Sequence, residues 1–466
     1  MNDEPLTGGD GAAPARGGFW RELLALGIAV LAALPVQAAP LDLALAPADR
    51  LAALGATAVK PVLLAPTDAR GAEARLQALA TLAANRSALV AASEHDASAS
   101  KGDADEAAGA RYPRIDASAR AAFAGADTPW LGNGRQVSAG LSASLPLVDF
   151  GRQRALEDWR RRLADAAELG ADATREAVAL EAVNLALERN RARAQLDVQR
   201  QYADRLADIA ARIAQIVALD RGRASELVQA RKSQLQAEIG RDAALAALRQ
   251  TETRLRRFIG DDLAPAEDIA PAFANPIAPD ELPRLARNAR DQRQLRAQAA
   301  ASERYADAVA AGQQPQIGLV AGRSLGRNGE LAAGSWTAGV QMSVTLFNGR
   351  ADAAARSAAL ERARAAEERA NDALAARETQ LLDLADSAAA ARERARAYAD
   401  VLRASDEVRT ATFQQWAELG RRSLFDVMSA EGDHAALHAA YLNALYDSYA
   451  AQLRLRALGT GLLALR

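Results

Sequence analysis

The chain of 466 residues repeats itself. Ala139-Gly140-Leu141 through Asp149-Phe150-Gly151-Arg152 returns as Ala338-Gly339-Val340 through Phe347-Asn348-Gly349-Arg350, and Pro113-Arg114-Ile115 returns as Pro315-Gln316-Ile317. Downstream, Gly222-Arg223-Ala224-Ser225 returns as Gly420-Arg421-Arg422-Ser423, and Phe258-Ile259-Gly260 as Ala457-Leu458-Gly459. The offsets run from 198 to 202 residues and the order is kept, so one structural unit is built twice. Between the halves, Pro265, Pro271, Pro276, Pro279 and Pro283 mark a linker through which no long helix can run.

Each unit opens with two segments of period-two alternation. Ile115, Ala117, Ala119, Ala121 and Phe123 alternate with Arg114, Asp116, Ser118 and Arg120, and Val137 to Leu145 alternate with Gln136 to Ser144. The second unit repeats this with Ile317, Leu319 and Ala321, then with Trp336, Ala338, Val340, Met342, Val344 and Leu346. Turn-forming residues fill Gly125 to Gly134 and Ser324 to Gly334, which read as the connecting loops. Strands of about 9–11 residues with one apolar and one polar face suit a membrane β-barrel. The four outward faces read as free of charge, with lipid as their partner. A soluble sheet packed on helices has the same alternation and stands beside that reading.

Four strands cannot close a barrel, and an open edge in lipid strands backbone polar groups at several kcal/mol each. Membrane placement would therefore require several copies to share one barrel. Three copies give twelve strands, although the arithmetic also admits two or four.

Two long stretches are proline-free, from Leu147 to Ala264 and from Gln316 to the C-terminus. Trp159, Ala166, Ala173, Leu180 and Leu187 recur every seven residues, as do Tyr202, Ile209 and Ile216 with Leu206 and Ile213 beside them. In the second unit Leu360, Leu374, Leu381, Ala388, Ala395 and Leu402 keep one register. A sustained heptad predicts long helices in coiled-coil-like packing. A helix over residues 150–218 would reach about 100 Å.

Composition agrees with this architecture. About a quarter of the residues are alanine, half are apolar and aromatics make up only 4 %. Small side chains allow helices to approach closely, and the scarcity of large ones argues against a thick globular core. A net charge of −2 gives no footprint for nucleic acid. With no cysteine there is no disulfide, thiolate site, cysteine nucleophile or lipid-modified N-terminal cysteine.

Residues 23–34 are an apolar run preceded by Arg16 and Arg21 and followed by Val36-Gln37-Ala38. The run is short for a membrane span and suits an export signal, so residues 1–38 are expected to be cleaved. Each long helix is expected to end in a turn with a short polar signature, at Asp220-Arg221-Gly222-Arg223-Ala224-Ser225-Glu226-Leu227 and Leu419-Gly420-Arg421-Arg422-Ser423-Leu424-Phe425-Asp426-Val427. Glycine suits the left-handed end of a helix and serine the cap of the next. Glu226 and Asp426 then sit where the helix dipole favours acids. Capping alone would account for these residues.

The duplicated halves, the Leu145-Pro146-Leu147-Val148-Asp149-Phe150-Gly151 and Leu346-Phe347-Asn348-Gly349 junctions, the Ser423–Ala430 tip and the Tyr441–Gly459 stretch together resemble the TolC family of outer-membrane efflux and secretion channels. The resemblance covers nearly all the chain after the signal. It implies a mainly α fold with a membrane β-barrel portion: a homotrimer with a twelve-stranded barrel in outer-membrane lipid and a helical tunnel across the periplasm. A periplasmic adaptor (membrane fusion) protein and an inner-membrane transporter are the implied partners, with no cofactor.

Carried over by motif, Arg422 matches the arginine of the link that closes the periplasmic tip. Ser225 and Glu226 match its partners, Asp426 a ring acid, and Gly222 and Gly420 the tip turns that meet the adaptor. The second ring acid falls on Ser429 and the tyrosine before the tip glycine on Ala417, two departures from the pattern. An Arg422–Glu226 or Arg422–Ser225 contact is expected to hold the resting tip shut.

The expected organisation is a signal peptide over 1–38, N-terminal periplasmic helices over 39–110, a first repeat over 111–260, a Pro-containing linker with short helices over 261–313, and a second repeat over 314–466. Residues 40–70 have no counterpart in the family pattern. His434 and His438, four apart near Glu431 and Asp433, read as solvated helix positions, and His-Glu-x-x-His is absent. No catalytic constellation is seen. A passive export duct is the favoured function, and a secreted periplasmic or surface helical scaffold without a channel is the alternative.

Overall fold

The structure, a computed structural model, describes residues 69–124, 134–273, 277–328 and 331–463, all within one compact unit spanning Val59–Arg466. The expected signal peptide, residues 40–68 and the loop over 125–133 lie outside the described residues. Helices α1 (Ala69–Arg86) and α2 (Ala88–Gly109) come first, divided at Ser87, whose hydroxyl accepts from Val90 N. Then follow β1 (Arg114–Ala124), β2 (Gly134–Val148), α3 (Arg152–Leu219) and α4 (Ala224–Ile259). Short 3-10 turns lead through the proline-rich segment to α5 (Leu282–Asn288) and α6 (Arg290–Ala311). The second unit is β3 (Gln316–Asn328), β4 (Leu331–Ser343), α7 (Ala351–Ala417) and α8 (Leu424–Gly459).

The duplication is literal at this level. Helices α3 and α7 have 68 and 67 residues, and α4 and α8 have 36 each. At 1.5 Å per residue the long helices extend about 100 Å. The heptad reading holds where helices meet: Leu206, Ile209 and Ile213 of α3 pack with Phe413 and Trp416 of α7 and with Leu424, Val427 and Met428 of α8. Leu381, Ala388, Ala395 and Leu402 are buried along α7, whereas Leu360 is exposed near its start.

The strands form one antiparallel sheet in the order β1-β2-β3-β4, leaving β1 and β4 as edges. Ile115, Ala117, Ala119 and Ala121 face Ala143, Leu141, Ala139 and Val137, so apolar residues meet apolar residues across the pair. The register shifts between Pro146 and Val148, at the helix-side end of β2 where a proline costs the ladder least. One expectation is corrected here. Ser324 to Gly334 is not a loop: β3 runs on to Asn328 and β4 begins at Leu331, because Leu325, Gly326 and Arg327 find partners on both sides. Cross-strand pairing outweighs the turn propensity of the glycines.

The apolar face is also not free of charge. Arg135, Arg323 and Arg327 share it with Val137, Leu141, Leu319 and Val340, since the pleat alternates strictly and each pairs across with a residue of that face. Arg323 and Arg327 lie on the part of β3 beyond Ala321, where the alternation in the sequence gives way to glycines.

Candidate functional site

Two places carry polar chemistry that the fold positions: the hairpin tips and the helical seam just behind them. At the first tip Asp220 leaves the helix in extended conformation and its carboxylate accepts from Gly222 N at 2.9 Å, starting a single 3-10 turn, Arg221–Arg223. Gly222 is therefore not the left-handed helix end expected of it: its N–H is held by Asp220. Gly420 is, with φ of +61°. At the second tip Ser423 accepts from Asp426 N while the Asp426 carboxylate accepts from Ser423 N, a reciprocal capping box. Those hydrogen bonds, with Arg422 nearby, hold the Asp426 carboxyl below the usual range, so it stays ionised.

Three of the four predicted gate residues, Glu226, Arg422 and Asp426, are engaged on their own hairpins. Arg223 grips Glu226 bidentately at 3.0 and 2.7 Å, and Arg422 donates to Gln415 at 3.2 Å. Ser225 is exposed one residue before Glu226. Neither an Arg422–Glu226 nor an Arg422–Ser225 contact is formed within the chain among the described interactions. The physical reason is reach: Arg223 stands three residues from Glu226 on the same turn, where an i,i+3 pair forms locally. Trp416, beside the departed tyrosine position at Ala417, packs into the tip core with Phe413, ring centroids 5.7 Å apart.

Behind the tip lies a buried polar seam. Glu431, 4 % exposed, accepts from Arg205 of α3 at 3.0 Å and from Arg409 of α7 at 3.3 Å, and Arg409 also holds Asp406. The Arg205 guanidinium lies over the Phe413 ring at 4.6 Å. His434 and His438 are each 8 % exposed, so the solvated-surface reading is overturned. They occupy the inward stripe of α8 that runs Leu424, Val427, Glu431, His434, His438, Tyr441, with steps of three and four that place every member on one face. That spacing was the available signal.

His434 Nδ1 meets Ser405 Oγ at 3.3 Å, while its Nε2 is buried without a hydrogen-bond partner. Burial lowers the pKa of both, helped by Arg409 at His434 and by His434 at His438. No group of three or more His, Cys, Asp or Glu able to hold a metal occurs among the described residues.

At the opposite end, the strand-to-helix junctions use matched geometry. Phe150 and Gly151 adopt positive φ, as do Gly349 and Arg350. Asp149 accepts from Gly151 N and Gln153 N, and Asn348 accepts from Asp352 N, capping each long helix as it leaves the sheet. The rest of the apolar face is uncovered: Phe123 is 89 % and Trp336 78 % exposed. Trp336 lies within β4 and Phe347 beyond its last residue, Ser343, and both are exposed. No helix among the described residues is long and apolar enough to cross a membrane.

Residues 79–261 match the family model described as outer membrane efflux protein. No curated protein matches the chain at the sequence level. Among solved structures, the chain is similar to a membrane protein from Pseudomonas aeruginosa at 20% identity and a TM-score of 0.73, covering 84% of this chain and 92% of that one. It is similar also to the outer membrane protein VceC of Vibrio cholerae, at 18% identity and 0.70, covering 84% and 97%. The MtrE outer membrane channel of Neisseria gonorrhoeae, solved in its open state, matches at 18% and 0.71, covering 84% and 91%. The chain thus matches the outer membrane efflux protein model over residues 79–261 and shares over most of its length the fold of these outer membrane channels.

Proposed function

We propose that the chain is the outer-membrane exit duct of a tripartite efflux pump or type I secretion system, conducting substrate passively from a periplasmic tunnel to the cell exterior. The observation that carries this reading is the direct continuation of a four-stranded sheet with an uncovered apolar face into two helices of about 100 Å. A soluble scaffold would cover that face with helices; here Ile115, Phe123 and Trp336 stand open. The vesselled form is a homotrimer in outer-membrane lipid, docked through the Gly222 and Gly420 tips to a periplasmic adaptor and through it to an inner-membrane transporter. Apolar residues that the single chain leaves exposed support helical neighbours: Val228, Leu235 and Ile239 on α4, Val401 and Val408 on α7.

The gate follows from the tips. Arg422, Ser225, Glu226 and Asp426 form the closing set, and its links run between neighbouring copies, because within one copy Glu226 and Arg422 are tied to Arg223 and Gln415. Surface ion pairs contribute only about 0–1 kcal/mol each, so threefold repetition and helix packing do most of the closing. Purified protein in planar bilayers should show discrete conductance steps, and Arg422→Ala with Glu226→Ala should raise them. Channels of unchanged conductance in the double variant would remove the gate assignment. Protein recovered wholly in the soluble periplasmic fraction would remove the duct.

A further inference from the structure

Charge on the apolar sheet face is confined to one sign and one end. Of the described positions sharing that face, only Arg135, Arg323 and Arg327 are ionisable, and no carboxylate stands among them. All three lie in the part of the sheet toward the strand-connecting loops, and the helix-proximal part carries none. Arg327 is opposite Val137, two residues from Arg135, which makes the two guanidinium-bearing positions diagonal neighbours. Arg323 lies four residues deeper, about 13 Å along the strand, paired across to Trp336 and Leu141. Arg135 is paired to Phe123. None of the three has an ion-pair partner among the described residues, whereas Arg114 on the opposite face is held by Asp116.

In a barrel that faces lipid with this side, a guanidinium is costly at the midplane and nearly free of cost at the interface. Arginine there presents a fork of donors matched to phosphate oxygens, with a nearby aromatic ring to lie along the acyl boundary. We infer that Arg135, Arg323 and Arg327 form a binding site for the phosphate groups of a phosphorylated glycolipid in the outer leaflet, seated on the outward face of β2 and β3 and flanked by Phe123 and Trp336. Two rim guanidiniums side by side, and a third deeper, suit a headgroup bearing more than one phosphate better than a single-phosphate lipid.

This inference rests on the barrel reading, and the experiment separates the two. The protein is reconstituted into phosphatidylcholine vesicles doped with either a bisphosphorylated lipid A or phosphatidylglycerol, then extracted, and the lipid retained is measured by native mass spectrometry. The wild type should retain the bisphosphorylated lipid about tenfold or more over the variant carrying Arg135→Gln, Arg323→Gln and Arg327→Gln. Replacing Arg114 and Arg120 of the opposite face by glutamine should leave retention unchanged.

The same three positions changed to lysine keep the charge and lose the fork, and should retain an intermediate amount; this variant answers the question if the glutamine one fails to insert. Equal retention by wild type and both variants overturns the site. Displacement of the lipid by millimolar inorganic phosphate alone also overturns it, since the site would then be for a free anion. A wild-type protein that does not insert into either vesicle at all takes the barrel reading down with it.

Discussion

His434 and His438 make one part of stability depend on pH, and the sign can be worked out. Burial lowers both values below the ordinary 6.5, so as pH falls the unfolded chain takes up protons before the folded one does. Stability is full above about 6.5 and is lost as pH falls through the lowered folded values. The charged groups facing His434 are Arg409, which opposes its protonation, and Asp406 and Glu431, which favour it, with Ser405 as the neutral partner. Thermal unfolding followed between pH 7.5 and pH 5 should show a falling midpoint in the wild type, and a shallower fall in His434→Gln with His438→Gln. An equal slope in both would show that other groups carry the dependence. At the tips, Gly420→Ala should cost about 1 kcal/mol, measured by denaturant unfolding, because its φ of +61° is strained for any side chain even though a Cβ there meets nothing within 4 Å. Residue-level legibility was uneven for a physical reason. Gly420 and Ser423 act through local backbone geometry, which sequence reports directly, whereas the partners of Arg422 and Glu226 depended on which carboxylate or amide lay within reach.

The element scale is where the sequence spoke most clearly. Heptads and the absence of proline predicted α3 and α7, and the offset near 200 predicted that their lengths would match, as 68 and 67 residues do. The less legible parts were those in which pairing overrode propensity, as at Gly326, or in which polar residues were buried on an apolar stripe, as at Glu431 and His438. Glu431 is the polar clasp joining three helices: Arg205 from α3 and Arg409 from α7 meet on this one carboxylate of α8. Glu431→Gln leaves two guanidiniums without their common counter-charge in a buried place, and should cost about 3 kcal/mol. Replacing Arg205 and Glu431 together by leucine should cost less than the two single replacements summed, because the second change removes the charge that the first exposed. Additive losses in that double-mutant cycle would show that the helices are held here by packing alone.

For the whole molecule, the question is how the sheet ends. The order β1-β2-β3-β4 leaves β1 and β4 with unpaired ladders. In hydrocarbon such edges are untenable, so the proposed duct requires the β1 edge of one copy to meet the β4 edge of the next. Bacterial barrels begin at about eight strands and are even-numbered, which two, three or four copies would all satisfy. The cysteine-free chain makes the count measurable, because any disulfide formed comes only from residues introduced for the purpose. Ser118→Cys on β1 can be combined in turn with Thr337→Cys, Gly339→Cys or Gln341→Cys on β4, all edge-strand positions on the polar face. The two ends of one chain's sheet lie three strand spacings apart, about 14 Å, too far for a disulfide within one copy. One of the three pairings should therefore oxidise between copies, giving a ladder on non-reducing gels that stops at three chains and collapses to one on reduction. A ladder ending at two or four would set the barrel at eight or sixteen strands. No cross-link in any pairing, in protein that inserts and conducts, would mean that the edges are closed by something other than a second copy of this chain.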